Sequence, residues 1–222
     1  MSRQWGLHLA GLLVALWLGG CVSAEKAAVQ RLQAKAAYER GMTHYGEKRG
    51  ALALEAFREA IALDPTVPSY HNWLGRLYLD LRRPDLATQR FQDATRLDSS
   101  YSEAFTNLGV ALDELGRSDE AVAAYRKAIA LPILADPQLA YHNLGLALFH
   151  LKRYREAEEA LRFAISLNPA LEGPYYNLGL VLLAQGRKED ARLAFRRARD
   201  MAPQSPFGQA ARGQLKALGE GG

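Results

Sequence analysis

The segments His71-Asn72-Trp73-Leu74-Gly75, Thr106-Asn107-Leu108-Gly109, His142-Asn143-Leu144-Gly145 and Tyr176-Asn177-Leu178-Gly179 repeat one pattern, and Tyr38-Glu39-Arg40-Gly41 is its weaker first copy. Their glycines are 34, 34, 36 and 34 residues apart. Twelve residues after each glycine comes alanine: Ala53, Ala87, Ala121, Ala157 and Ala191. Sixteen after comes a bulky apolar residue: Phe57, Phe91, Tyr125, Leu161 and Phe195. Nineteen after comes alanine again: Ala60, Ala94, Ala128, Ala164 and Ala198. Five such registers lie beyond chance, and a period of this length marks a repeat array.

Each period reads as two amphipathic helices. The glycine and the alanines let two helix backbones approach, and the bulky residue fills the space beside them. Pro65, Pro169 and Pro203 close the second helix, because proline lacks the amide donor and clashes with the preceding turn. Ser99 replaces that proline in the second period, and Pro132 lies one place early in the third. Gly116-Arg117 and Gly186-Arg187 mark turns inside a period, with Lys48-Arg49-Gly50 and Arg83-Pro84-Asp85 in the same role earlier. No hairpin buries enough surface alone, so stacking supplies the core. The fold expected is all-α, a solenoid of five hairpins spanning 34–67, 68–101, 102–137, 138–171 and 172–205. A capping helix follows over 206–219, with Phe207, Ala211, Leu215 and Leu218 at helical spacing, and Gly219 to Gly222 are expected to fray. Residues 25–33 can extend the first helix upstream.

The pattern resembles the tetratricopeptide repeat, a helix–turn–helix unit of 34 residues. The resemblance covers about residues 34 to 205. It implies a concave groove lined by the first helices: Lys35, Tyr38 and Met42, then Asn72, Arg76 and Leu79, then Thr106 and Val110. Further along the lining runs through Leu139, His142, Leu146 and Phe149 to Tyr176, Leu180 and Leu183. The carboxylate clamp of chaperone-binding relatives is absent, since the matching places hold Tyr, Asn, Thr, His and Tyr. Asn107, Asn143 and Asn177 share one place in three repeats. They can bond an extended peptide backbone or satisfy nearby backbone groups. The apolar stripe from Leu139 to Leu183 fits a helix or strand of a protein partner; capping by the chain itself or lipid contact are the other ways to bury it.

The N-terminus reads as an address. Arg3 precedes an apolar stretch, Leu7 to Gly20, of 14 residues. That is too short to span a bilayer core of about 30 Å and fits a signal peptide over 1–20. It ends Leu18-Gly19-Gly20-Cys21, which resembles the lipobox of bacterial lipoproteins. The resemblance implies cleavage before Cys21 and acylation there, making 21–33 a lipidated N-terminus and leading helix. Cys21 is the one cysteine, so neither an internal disulfide nor a paired-cysteine metal site can form. Val22, in place of aspartate, implies by the sorting rules of that family the periplasmic face of the outer membrane.

Composition excludes other classes. The chain of 222 residues is 49% hydrophobic and 23% charged, which fits neither a disordered nor a wholly membrane-embedded protein. A net charge of +4 gives no footing for nucleic acid. Basic residues gather at Lys152, Arg153 and Arg155 and from Arg187 to Arg199, either as a solvated face or toward an anionic partner. There is no nucleophile elbow, phosphate-binding loop or metal-ligand cluster, so neither an enzyme, a cofactor nor a small-molecule substrate is expected. His71 and His142 hold nearly the same repeat position and read as echoes of one another.

Lipobox, short tether and repeat array together resemble the type IV pilus biogenesis/stability lipoproteins, the PilF/PilW pilotin family. The junction from Ala128 to Gly145 is two residues longer than the period, and that family carries a comparable one. This resemblance implies an outer-membrane secretin subunit as partner, with a role in its localisation and multimer assembly. The alternative is a general cell-envelope scaffold serving another envelope or secretion complex.

Overall fold

Proline and glycine punctuate the chain as their chemistry requires. Pro68, Pro84, Pro137 and Pro206 stand in the first turn of a helix, where their missing amide costs nothing. Pro65, Pro169 and Pro203 each lie two residues beyond the end of one. The computed structural model describes residues 4–220, with side chains from Glu25 onward. Among them are eleven helices and no strand. They are α1 (Gln4–Gly46), α2 (Gly50–Leu63), α3 (Pro68–Asp80), α4 (Pro84–Leu97), α5 (Ser102–Glu114), α6 (Ser118–Ile129), α7 (Pro137–His150), α8 (Tyr154–Leu167), α9 (Glu172–Ala184), α10 (Lys188–Met201) and α11 (Pro206–Ala217).

Consecutive helices pair as five hairpins, α1–α2 through α9–α10, and each second helix packs on the first helix of the next hairpin. The first helices α3, α5, α7 and α9 also touch in sequence, and α11 continues that row against α9. The array therefore curves with its first helices inside. It is an all-α solenoid with a capping helix.

The locking element recurs in all five hairpins. Phe57, Phe91, Leu161 and Phe195 are fully buried, and Tyr125 nearly so. Each lies over the glycine sixteen residues before it, and the flanking alanines are fully buried too. Burying one such side chain contributes about 1.5–3 kcal/mol. Among the described side chains of α1, Ala34 and Ala37 are the first buried, and residues 25–33 extend the helix as an exposed lead. Cys21 falls among residues whose side chains lie outside the described set. Among the described residues, no helix is long and apolar enough to cross a membrane.

The turns inside the hairpins share one backbone solution. The second residue is left-handed in all five: Lys48 (φ 59°), Arg82 (φ 56°), Gly116 (φ 72°), Lys152 (φ 58°) and Gly186 (φ 79°). Glycine adopts this conformation freely, whereas an L-side chain crowds the following carbonyl. The fourth turn, Lys152-Arg153, has neither glycine nor proline, and no sequence cue marked it. One expectation needs correction. Gly219 and Glu220 do not fray: their amides bond the Lys216 and Leu215 carbonyls at 3.1 and 3.0 Å, and Arg196 holds the Glu220 carboxylate at 2.6 Å. Gly221 and Gly222 lie outside the described residues.

Candidate protein-binding groove

On α7, Leu139, His142, Leu146 and Phe149 are spaced by three and four residues, which places them on one helical face. On α9 the same holds for Tyr176, Leu180 and Leu183. Both faces look into the concavity. Leu139 is 45% exposed, and the others are half-buried, with Phe149, Tyr176, Leu180 and Leu183 resting on the core. The helices α7 and α9 are apolar almost all the way round, whereas their partners α8 and α10 each have a sharply charged outer face. A helix apolar on every side needs cover on every side. Part of that cover comes from the cap: the Phe207 ring of α11 lies 5.8 Å from Tyr176 and 6.3 Å from His142.

The asparagines form two separate polar links. Asn107 Nδ2 donates to Asn72 Oδ1 at 3.0 Å, and Asn72 Nδ2 donates to the Tyr101 hydroxyl at 3.0 Å and to Glu103 Oε1 at 3.3 Å. Arg76 completes this cluster, bonding Glu103 at 3.3 Å while its guanidinium lies 4.1 Å over the Trp73 ring. Asn177 Nδ2 donates to His142 Nε2 at 2.7 Å. Asn143, between the two links, makes no side-chain hydrogen bond among the described residues. Asn72 spends both of its N–H groups in its link, whereas Asn107 and Asn177 each keep a second N–H.

Burial sets the electrostatics. It pushes the Tyr101 hydroxyl up to about 12, with the Glu103 carboxylate adding to the effect and the Asn72 bond opposing it. Burial also lowers His142 below the ordinary histidine value, keeping the ring neutral so that Nε2 can accept from Asn177.

Asn72, Thr106 and Asn177, expected to face the groove, are instead buried, Asn72 completely. Thr106 donates to the Ser102 carbonyl of its own helix at 3.1 Å. Asn72 sits three residues before its glycine where the other asparagines sit two before. Tyr101, Glu103 and Phe207 escaped the repeat register because each belongs to a helix start. His71 and His142 also part company: His71 Nε2 bonds the Pro65 carbonyl at 2.9 Å in the wall, while His142 faces the groove. The longer junction bends over the middle of the groove. Leu134, Ala135 and Asp136 face Arg76, Glu103 and Asn107 across a cleft of about 150 Å³, and Ile133 beside them is 81% exposed. Among the described residues, no group of His, Cys, Asp and Glu could hold a metal ion.

The tetratricopeptide repeat family model matches residues 23–68, 74–134 and 142–206. The chain belongs to that family. As a tetratricopeptide repeat protein it is a protein-interaction scaffold rather than an enzyme. Over 77 residues it is 34% identical to the small glutamine-rich tetratricopeptide repeat-containing protein 2 of Mycosarcoma maydis, a match covering 35% of this chain and 22% of that relative's length. Among solved structures it is similar to MamA, at 26% identity and a TM-score of 0.67 over 74% of this chain and 95% of that one. It is also similar to PilW, described as a widely conserved type IV pilus biogenesis factor, at 20% identity and a TM-score of 0.70 over 83% and 92%.

Proposed function

We propose that this tetratricopeptide repeat protein is a lipid-anchored scaffold of the cell envelope that holds a segment of a protein partner in the groove of α5, α7 and α9. The observation that carries this reading is the half-open apolar row Leu139, Leu146, Phe149, Leu180 and Leu183 on inner helices that are apolar all round. An apolar helix face in a partner would complete their burial, and Asn107, Asn143 and Asn177 would orient its polar groups. The anchor is the acylated Cys21, with residues 1–20 removed. Several acyl chains at about 0.8 kcal/mol per buried CH₂ would make the attachment permanent.

Within this reading, the periplasmic face of the outer membrane and a secretin subunit of the type IV pilus form the finer assignment. Two observations favour it: the likeness in fold to PilW over 83% of this chain and 92% of that one, and the long junction that brings Leu134 to the groove. The likeness to MamA is of the same order, so the general envelope scaffold is the reading we put first. Deleting the gene tests the finer assignment. Loss of secretin multimers, with monomer still present in the envelope, supports the pilus role; intact multimers leave the scaffold serving another complex.

A further inference from the structure

The turns inside the hairpins line one edge of the solenoid, outside the groove. There the geometry points to a binding site for a carboxylate-rich peptide segment, in the cleft between the α7–α8 turn and the α9–α10 turn. The cleft measures about 630 Å³ and is lined by Lys152, Arg153, Arg155, Arg187, Glu156 and Glu158, among others.

Its charge balance is decided by who holds the two acids. Glu156 takes Arg153 and Arg126, both at 2.7 Å, and Glu158 takes Arg162 and Arg187, both at 2.9 Å. Each carboxylate is therefore claimed by two guanidinium groups, and neither is left to neutralise Lys152 or Arg155. Those two cations have no ion-pair partner among the described residues, and both are exposed. Lys152 also stands on a left-handed backbone that the equivalent Gly116 and Gly186 adopt without crowding. Lys48 and Arg82 hold the same backbone in sister turns, and Lys152 lines the cleft from it.

The size and chemistry choose the ligand. A cleft of this volume has the dimensions of a site for an extended ligand rather than one small anion. The unpaired Arg155 fork and the Lys152 ammonium suit carboxylates, and an acidic segment would bring one to each at once. The edge is not basic throughout: Glu114, Asp119 and Glu120 surround the middle turn, which separates this cleft from the basic Lys48-Arg49 and Arg82-Arg83 turns. Phospholipid headgroups share the anionic chemistry but are out of reach. From Glu25 to Gly46, α1 climbs about 30 Å, and the turn edge lies at its far end. This step rests on the anchor reading, since acyl chains on Cys21 hold the opposite edge at the bilayer.

Fluorescence polarisation of a fluorescein-labelled octaglutamate peptide, added to the full chain in a non-ionic detergent, tests the site. Wild type should bind it with an affinity that falls as salt rises. Lys152→Gly/Arg155→Gln should weaken binding at least about tenfold without lowering the melting temperature, because glycine already serves in the sister turns. Arg212→Gln/Lys216→Gln removes the same charge from α11 and should stay within about two-fold of wild type. Absence of binding overturns the proposal, as does equal weakening by the two double variants, which would reduce the effect to net charge. So does a result in which phosphatidylglycerol vesicles, and not octaglutamate, lose binding in Lys152→Gly/Arg155→Gln.

Discussion

A β-carbon on Gly145 would stand 2.6 Å from Cγ of Leu161 and 3.3 Å from the Ala157 carbonyl oxygen. The same approach recurs at Gly41 with Phe57, Gly75 with Phe91, Gly109 with Tyr125 and Gly179 with Phe195, at 2.5 or 2.6 Å. The period is thus a steric rule: a missing side chain on one helix makes room for a large one on the next. Gly145→Ala should destabilise the array by about 1–3 kcal/mol through overpacking. Leu161→Ala should cost about 2–5 kcal/mol through the cavity it leaves. The double variant should cost less than the two together, because the new methyl enters the new space. Urea unfolding of all three measures this, and strict additivity would contradict the proposed contact.

The turns make a prediction of opposite sign. Arg82 is exposed and left-handed, so Arg82→Gly should stabilise the fold by about 0.5–1 kcal/mol. This is the relief of about 1–2 kcal/mol of crowding less the extra freedom glycine has when unfolded. Gly186→Arg should destabilise by a similar amount. A rise of a few degrees in melting temperature for the first, and a fall for the second, is the expected pair.

Much of this fold was legible before any coordinates, because its determinants are local and steric. Glycine, alanine and bulky residue at fixed offsets leave one way to pack. The rest was hidden for identifiable reasons. The Lys152-Arg153 turn carried no glycine to announce the left-handed backbone that Lys152 adopts. The second helices are preceded by Arg49, Arg83, Arg117, Arg153 and Arg187, none of which caps through its side chain. Ser205, bonded by the Gly208 amide at 3.0 Å, is a side-chain cap that the sequence could have announced. In the groove, the helical spacing on α7 and α9 was readable. The Asn107–Asn72 and Asn177–His142 links were not, since each joins residues 35 apart.

His142 sets a pH dependence. Its folded pKa lies below the unfolded value, so the unfolded chain binds more protons as the pH falls through about 6.5. Stability is therefore full above that range, declines below it, and levels off once the pH passes the lowered folded pKa. Protonation also removes the acceptor for Asn177. Melting temperatures near pH 7.5 and 5.5 should fall in wild type and fall less in His142→Gln. Lowered carboxylates such as Asp64 and Asp98, held by Thr66 and Ser100, add their losses only at more acidic pH.

The anchor and the core are separable in sequence, with Cys21 well before Ala34, the first buried residue among those whose side chains are described. Cys21→Ser should leave helicity and melting unchanged and move the protein from the membrane fraction to the soluble fraction. A membrane-bound fraction equal to wild type would remove the lipoprotein reading while leaving the scaffold intact.

The central claim is that the concave face of α7 and α9 receives the partner. Leu146→Glu and Leu180→Glu each place a carboxylate on that face, where its burial at an interface costs several kcal/mol. Leu193→Glu makes the same chemical change on the outer face of α10, where Leu193 is 61% exposed. Tagged full-length versions of all three, matched to wild type in helicity, should be used to recover partners from detergent-solubilised envelopes, with the secretin subunit followed by name. Wild type and Leu193→Glu should retain the same envelope protein, and both groove variants should lose it. Full recovery by both groove variants would contradict the account.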